Sequence, residues 1–329
     1  MSQLPKVVIT GAVPVRGRAI GAAPEMPGVE VVMAPVSPKP TPEELRGLVR
    51  GADVIISMFY QRVDVALLDA AGMGLRGIVN YAVGFDNIDL GACRERGLLV
   101  ANTPDAVTEG TANLAWGLIL ACARRLVEAD GFVRSGAWEK QGPLSITDFL
   151  GVHLTGRTLL IVGAGRIGKA VGLRGLAFGM RVEYAARSRH VDFELAPLAA
   201  RRVELDEGLA RADVVSIHTP LTPETRHLID ARRLGLMKRE AILINTARGP
   251  IVDEAALASA LQERRLWGAG LDVFEREPRV DPLLREQSNA VMAPHIGSAE
   301  RYWREVMTEM VCENARAMLE GKRPPNLLS

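Results

Sequence analysis

The segment Ile161-Val162-Gly163-Ala164-Gly165-Arg166-Ile167-Gly168 constrains this chain more than any other. An apolar run, Thr158 to Val162, reads as a buried strand. It enters a G-x-G-x-x-G turn at once, and a helix-like stretch from Lys169 to Phe178 follows. Strand, glycine turn and helix in that order are what a dinucleotide site requires. Gly163 permits the tight turn, and Gly165 leaves the backbone clear for a pyrophosphate. Gly168 lets the helix approach the strand, and the helix N-terminus offers unpaired N–H groups to phosphate. Spacing alone carries little, because Gly72-Met73-Gly74-Leu75-Arg76-Gly77 has the same spacing. That copy precedes an apolar run (Ile78, Val79) instead of following one, and reads as a loop between a helix and a strand.

The rest of the chain supports an α/β reading. Short β-rich runs alternate with helical stretches: Val7–Thr10, Val54–Ser57, Ile78–Tyr81, Leu98–Ala101, Leu159–Val162, Val182–Ala185, Val214–Ile217, Ala241–Asn245, Gly270–Val273 and Val291–Ala293. Several are apolar on both faces, as parallel strands covered by helices are. With 329 residues the chain has room for two domains. The glycine turn comes far from the start, so a small α/β domain precedes it. The expected division is a substrate domain over 1–101, completed by 294–329, and a dinucleotide-binding domain over 102–293. Both are expected to be Rossmann-like doubly wound parallel sheets, with the active site in the cleft between them. Thr103-Pro104-Asp105 reads as a helix start, with Thr103 as cap and Pro104 in the first turn. Ala115, Leu118, Ile119, Cys122 and Leu126 repeat at helical spacing, so this helix is expected to be long and buried. A last helix, about Ala299 to Glu320, is expected to pack back on the first domain. Pro35–Pro42 reads as a loop into a helix.

Composition excludes several classes. Forty basic and thirty-nine acidic residues nearly cancel, which gives no electrostatic case for nucleic acid or an anionic membrane. No apolar run reaches the length of a membrane span. A strand-like Val7-Val8-Ile9 stands where a signal peptide would be, and Cys93, Cys122 and Cys312 lack C-x-x-C spacing. Together these predict a cytoplasmic protein without disulfides. Cys122 reads as core, and no metal site is expected.

Three residues beyond the glycine turn carry candidate chemistry. Arg248 sits in Asn245-Thr246-Ala247-Arg248-Gly249, Glu277 in Asp272-Val273-Phe274-Glu275-Arg276-Glu277-Pro278, and His295 in Ala293-Pro294-His295-Ile296-Gly297-Ser298. Each follows an apolar strand, and ligands of open parallel sheets bind beyond the carboxyl ends of strands. An arginine fork can hold a substrate carboxylate and polarise a keto oxygen. A histidine can give a proton to a developing alkoxide and take it back. A glutamate beside it favours the charged imidazole. Taken singly, each has a plain structural reading: a surface ion pair for Arg248, loop polarity for Glu277, a loop filler for His295. His190 and His227 read as surface residues; His218, at a strand end, reads as structural with a cofactor contact as the alternative.

With these residues in view, the chain resembles the D-isomer-specific 2-hydroxyacid dehydrogenase family, most closely its glyoxylate/hydroxypyruvate reductases. The resemblance rests on Asn80-Tyr81-Ala82-Val83-Gly84-Phe85-Asp86, Asn102-Thr103-Pro104-Asp105, the Gly163 turn, Asn245 to Asp253, Gly270 to Phe274 and Pro294 to Ala299. It implies that Arg248, Glu277 and His295 are the catalytic trio. It implies further that main-chain N–H groups at Val83 and Gly84 bind the substrate carboxylate, together with Arg248 and His295. The implied cofactor contacts are Thr111, Gly163, Gly165, Arg166, Ile167, Gly168, Thr219, Pro220, Thr246, Ala247, Arg248, Asp272, His295 and Gly297, with Asp272 on the nicotinamide carboxamide. It implies a homodimer, and it places Met58 to Gln61 and Tyr302-Trp303 near the active site. Asn113 departs from the pattern, which has an acid there.

The cofactor can be narrowed. NAD sites carry an acid near the end of the second strand, on the ribose 2′-OH. Here that strand is followed by Ala186-Arg187-Ser188-Arg189. Loss of the acid relieves repulsion of a 2′-phosphate, and Arg187, Ser188 and Arg189 can bind one. Glu183 is a rival acid but lies earlier, in mid-strand. NADP(H) is therefore the expected cofactor, with NAD(H) as the alternative. The reading that follows is NADP(H)-dependent reduction of small 2-keto acids, glyoxylate and hydroxypyruvate first, to D-2-hydroxy acids. The alternatives are an NAD-dependent dehydrogenase for a larger substrate and a dinucleotide-sensing binding protein with little turnover. Formate dehydrogenases would have glutamine where Glu277 stands.

Overall fold

The computed structural model describes residues 4–328. The chain divides into two compact units: one runs to Val107 and resumes at Ser298, and the other is Thr108–Gly297.

The first unit is built on five parallel strands: β1 (Lys6–Ile9), β2 (Glu30–Met33), β3 (Val54–Met58), β4 (Gly77–Tyr81) and β5 (Leu99–Ala101), in the order β2-β1-β3-β4-β5. β3 and β4 are buried along their whole length, which is why their sequences lack polar alternation. Helix Pro42–Leu48 starts with a reciprocal cap: the Thr41 hydroxyl accepts from the Glu44 N–H, and the Glu44 carboxylate accepts from the Thr41 N–H. The second glycine-spaced segment is the expected loop, running from the helix Val65–Ala71 into β4. The last helix, Arg301–Leu319, packs on β3 and β4 through Met307, Val311, Ala315 and Met318. The chain then returns to β5, where the Leu328 N–H donates to the Val100 carbonyl.

The second unit has seven parallel strands: β6 (Thr158–Val162), β7 (Arg181–Ala185), β8 (Arg201–Arg202), β9 (Val214–Ile217), β10 (Ile242–Asn245), β11 (Gly268–Leu271) and β12 (Ala290–Met292). Their order is β12-β11-β10-β9-β6-β7-β8. The chain progresses outward one way from β6 to β8 and the other way from β9 to β12. The order therefore reverses between β6 and β9, the crevice where doubly wound sheets bind ligands. Apolar cores cover both faces, one around Leu243 and Ile217 and the other around Ile244 and Leu159.

Several expectations need correction. Thr103 and Pro104 do not start a helix. The Thr103 N–H donates to the Ala82 carbonyl, and Asp105 takes a left-handed φ of 68°, so the helix begins at Thr108. It ends at Arg124, where Arg125 again has positive φ (52°), so Leu126 opens a separate helix and is exposed. The units meet along the chain after Val107 and after Gly297. Residues 102–107 therefore lie with the first sheet, and 294–297 with the second. β2 and β8 have no counterpart among the expected strands.

Candidate active site

The Gly163 turn leaves β6 and leads into the helix Arg166–Ala177. Gly163 has φ 103°, and a Cβ there would lie 2.7 Å from the backbone of His218 and Thr219 at the end of β9. The turn is therefore wedged into the reversal point of the sheet, and only glycine fits. At Gly165 a Cβ would meet nothing within 4 Å. The space beside that backbone is open, and no side chain caps the helix N-terminus. This is the arrangement a pyrophosphate needs, so the residues present fit a dinucleotide. Further along, the Thr246 hydroxyl is buried with no hydrogen-bond partner among the described residues, a polar atom available to a ligand. Thr111 lies against Gly297: a Cβ on that glycine would be 3.3 Å from the Thr111 hydroxyl.

The catalytic candidates come from three neighbouring strand ends. After β10, the Asn245 side chain builds a turn by accepting from the Ala247 N–H (3.0 Å) and donating to the Arg248 carbonyl (2.9 Å). The Arg248 guanidinium donates to the Ala247 carbonyl at 2.8 Å. After β11, the loop carrying Glu277 is clamped by Glu254, whose two carboxylate oxygens accept from the N–H groups of Glu275 (2.6 Å) and Asp281 (2.7 Å). After β12, His295 has φ 55° and its N–H donates to the Asp272 carbonyl.

These turns bring the trio together. Glu277 Oε2 lies 2.8 Å from His295 Nδ1, and Glu277 Oε1 accepts from the Phe274 N–H at 3.1 Å. Burial pushes the Glu277 carboxyl up. The hydrogen bond and charge of His295, the Phe274 N–H and the Arg248 charge outweigh that, and the net result lies below the usual value. Glu277 is thus an anion that fixes the imidazole ring through Nδ1. Asp272 has its carboxyl raised by burial, against the N–H groups of Ile296 and Gly297 that it accepts.

Other sequence candidates are placed as follows. His218 makes a 2.8 Å contact to Ser216 Oγ, and burial pushes its imidazole down to about 3, which suits a neutral structural residue. His227 pairs with Glu275. Glu183, the rival acid, is turned to Arg201 (3.3 Å) and Arg211 (3.0 Å) and is buried. Asn113 accepts from Arg174, which also pairs with Glu109. In the first unit the carbonyls of Val83 and Gly84 are held by Asn102 (2.8 Å) and Asn80 (2.7 Å), while their N–H groups have no acceptor among the described residues. Gln61 and Met58 are buried, and Gln61 donates to the Thr10 carbonyl, so within that loop Phe59 and Tyr60 are the more accessible side chains. Sequence reasoning missed Glu254 and Arg202, and it named Asn80 only as part of a motif, without its bond to the Gly84 carbonyl. Their work is done on main-chain groups, and no sequence spacing announces it. Among the described residues no helix is long and apolar enough to cross a membrane, and no cluster of metal-ligating side chains occurs.

The geometry agrees with what the chain is similar to. Residues 116–297 match the model of the D-isomer specific 2-hydroxyacid dehydrogenase, NAD binding domain. The chain is 48% identical over 291 residues to a glyoxylate reductase of Thermococcus onnurineus, covering 87% of this chain and 86% of that one. It is 46% identical over 326 residues to a glyoxylate reductase of Thermococcus kodakarensis, covering 99% and 96%. Among solved structures it resembles the TT0316 protein of Thermus thermophilus (TM-score 0.87, 44% identity, 98% and 100% coverage). It also resembles an NADPH-dependent glyoxylate/hydroxypyruvate reductase of Sinorhizobium meliloti in complex with NADP and malonate (TM-score 0.83, 31% identity, 99% and 97% coverage). This chain belongs to the D-isomer-specific 2-hydroxyacid dehydrogenase family, oxidoreductases that act on CH–OH groups with a nicotinamide dinucleotide.

Proposed function

We propose that this protein reduces glyoxylate and hydroxypyruvate to D-2-hydroxy acids, with NADPH preferred over NADH. The observation that carries the reading is the 2.8 Å contact between Glu277 and His295 beside Arg248, at the carboxyl end of a dinucleotide-type sheet. A bound nicotinamide supplies the hydride. His295, oriented through Nδ1, donates a proton from Nε2 to the developing alkoxide and takes it back in the reverse direction. Glu277 stabilises the imidazolium. Arg248 holds the substrate carboxylate and polarises the keto oxygen, and the main-chain N–H groups of Val83 and Gly84 complete the carboxylate site. Thr111, Gly163, Gly165, Arg166, Ile167, Gly168, Thr219, Pro220, Thr246, Ala247, Asp272 and Gly297 contact the dinucleotide, and Arg187, Ser188 and Arg189 face its 2′-phosphate. Phe59, Tyr60, Tyr302 and Trp303 select among substrate side chains. The protein works in the cytoplasm as a homodimer, which the exposed Leu126, Val127, Val133 and Ile146 support.

The relatives named as glyoxylate reductases support the substrate class, and the missing acid at Ala186 supports the cofactor choice. The test follows loss of reduced-nicotinamide absorbance with glyoxylate and hydroxypyruvate, NADPH beside NADH, for wild type and His295→Ala. Turnover that prefers NADPH and falls about 10²–10⁴-fold in the variant is expected. Preference for NADH would overturn the cofactor assignment. Dinucleotide binding without turnover of these or larger 2-keto acids would overturn the enzymatic one.

A further inference from the structure

The residues that follow β7 in sequence are not equally available to an anion. Arg189 Nε pairs with Glu194 Oε2 at 2.6 Å, and the Tyr184 hydroxyl donates to the other oxygen of that carboxylate at 2.8 Å. The charge of Arg189 is therefore committed to a carboxylate that is itself held in place. Arg187 is exposed and forms no ion pair among the described residues.

A third cation comes from further along the chain. β8 pairs with β7 in parallel, with Arg202 in register with Tyr184. From this edge position the Arg202 guanidinium reaches across the end of β7. Its Nη2 donates to the carbonyls of Ala186 (3.0 Å) and Arg187 (3.2 Å). Ala186 is the residue that stands where NAD sites carry their ribose-binding acid. One amino group of Arg202 is used on the loop. Its Nε and Nη1 have no acceptor among the described residues, and the side chain is exposed. The Glu194 carboxyl is lowered chiefly by its hydrogen bonds from the Tyr184 hydroxyl and Arg189, with a lesser part from the charge of Arg202.

The geometry points to Arg202 as a specificity-determining residue: with Arg187 it forms the site for a phosphate monoester on the adenine-ribose 2′-oxygen. Its clasp on the two carbonyls fixes the loop that presents Ser188, and its remaining N–H groups form the fork that phosphate accepts. Glu183, the one acid on β7, does not oppose an anion there, because Arg201 and Arg211 neutralise it. The assignment rests on the 2′-phosphate reading above and adds a residue that neither the glycine motif nor the loop sequence announces.

The test uses mononucleotides, which report the subsite without turnover. Calorimetric dissociation constants for 2′,5′-ADP and 5′-AMP are compared in the full-length wild type, Arg202→Ala, Arg202→Gln, Arg187→Ala and Arg189→Ala. Wild type should bind 2′,5′-ADP more tightly than 5′-AMP. Arg202→Ala and Arg202→Gln should weaken 2′,5′-ADP by about 10–100-fold and leave 5′-AMP within about twofold. The loss in Arg189→Ala should be smaller than in either. A wild type that does not prefer 2′,5′-ADP overturns the 2′-phosphate reading itself. A preference that survives in both Arg202 variants overturns the Arg202 assignment alone. Equal weakening of both ligands overturns it too, since it would leave Arg202 only a brace for the loop.

Discussion

Asp272 grips the turn that carries His295. Its carbonyl accepts from the His295 N–H at 2.8 Å, and its carboxylate oxygens accept from the N–H groups of Ile296 (2.7 Å) and Gly297 (2.8 Å). Three main-chain donors in succession are thus tied to one residue at the end of β11. The positive φ of His295 is a cost that this grip can offset. Asp272→Asn tests the relationship. An amide offers one acceptor where the carboxylate offered two, so one of the two N–H groups faces an NH₂ instead. We predict a fall of about 10-fold or more in kcat and faster hydrogen exchange at the Ile296 and Gly297 amides. Unchanged exchange at both amides would remove Asp272 from this positioning role.

Glu277 makes a distinct prediction, because its carboxyl lies below its usual value despite burial. A lowered carboxyl contributes its charge and stability above the ordinary carboxylate range. It loses them only as pH falls through the lowered value. Across neutral and alkaline pH the wild type therefore keeps the anion against His295, and Glu277→Gln loses it at every pH. Without that carboxylate His295 Nδ1 loses the acceptor that fixes its ring. The reductive kcat should therefore fall by about 10-fold or more in Glu277→Gln at neutral pH. A variant with unchanged kcat would mean that Glu277 does not hold His295 in its working position.

The sequence disclosed the parts of this site that depend on local geometry. A strand running into Gly163-Ala164-Gly165 can be read because turn, close approach and helix start are all consequences of neighbouring residues. The strand ends carrying Arg248, Glu277 and His295 are legible for the same reason. What stayed hidden depends on partners distant in the chain. Glu254 clamps the Glu277 loop from the first turn of a helix more than twenty residues earlier, through the N–H groups of Glu275 and Asp281. β8 is two arginines long and forms only because β7 offers it an edge, so no periodicity marks it. Thr103-Pro104 carries the signals of a helix start, yet the Ala82 carbonyl takes the Thr103 N–H and the helix waits until Thr108.

The glycines of the dinucleotide turn should separate stability from binding. A methyl at Gly165 meets no protein atom within 4 Å, and that residue has φ −88°, which any residue can adopt. Gly165→Ala should shift the thermal midpoint by no more than about 3 °C, equivalent to about 1 kcal/mol. Its NAD(P)H dissociation constant should rise about 10-fold or more, because the methyl occupies the space of the pyrophosphate. Gly163→Ala should behave in the opposite sense. Its φ of 103° and 2.7 Å contacts with the His218 and Thr219 backbone strain the fold directly, costing about 1–3 kcal/mol from the backbone conformation alone. A Gly165→Ala protein that melts as early as Gly163→Ala would show that the Gly165 position serves the fold rather than the ligand.

His218 gives the protein a predictable weakness in acid. Burial pushes its imidazole down to about 3, so the folded chain keeps it neutral where an unfolded chain would protonate it. The unfolded state then binds the extra proton below about pH 6.5. Stability therefore falls with decreasing pH from there until the folded value near 3 is reached, by up to about 1.4 kcal/mol per pH unit from this residue. His218→Gln removes the titration while keeping a polar group within reach of Ser216 Oγ, which lies 2.8 Å from the imidazole. Urea unfolding at about pH 7.5 and about pH 5 should show a smaller loss of stability in the variant than in wild type. An equal loss in both would mean that His218 is protonated in the folded protein, and that burial at the end of β9 does not keep it neutral.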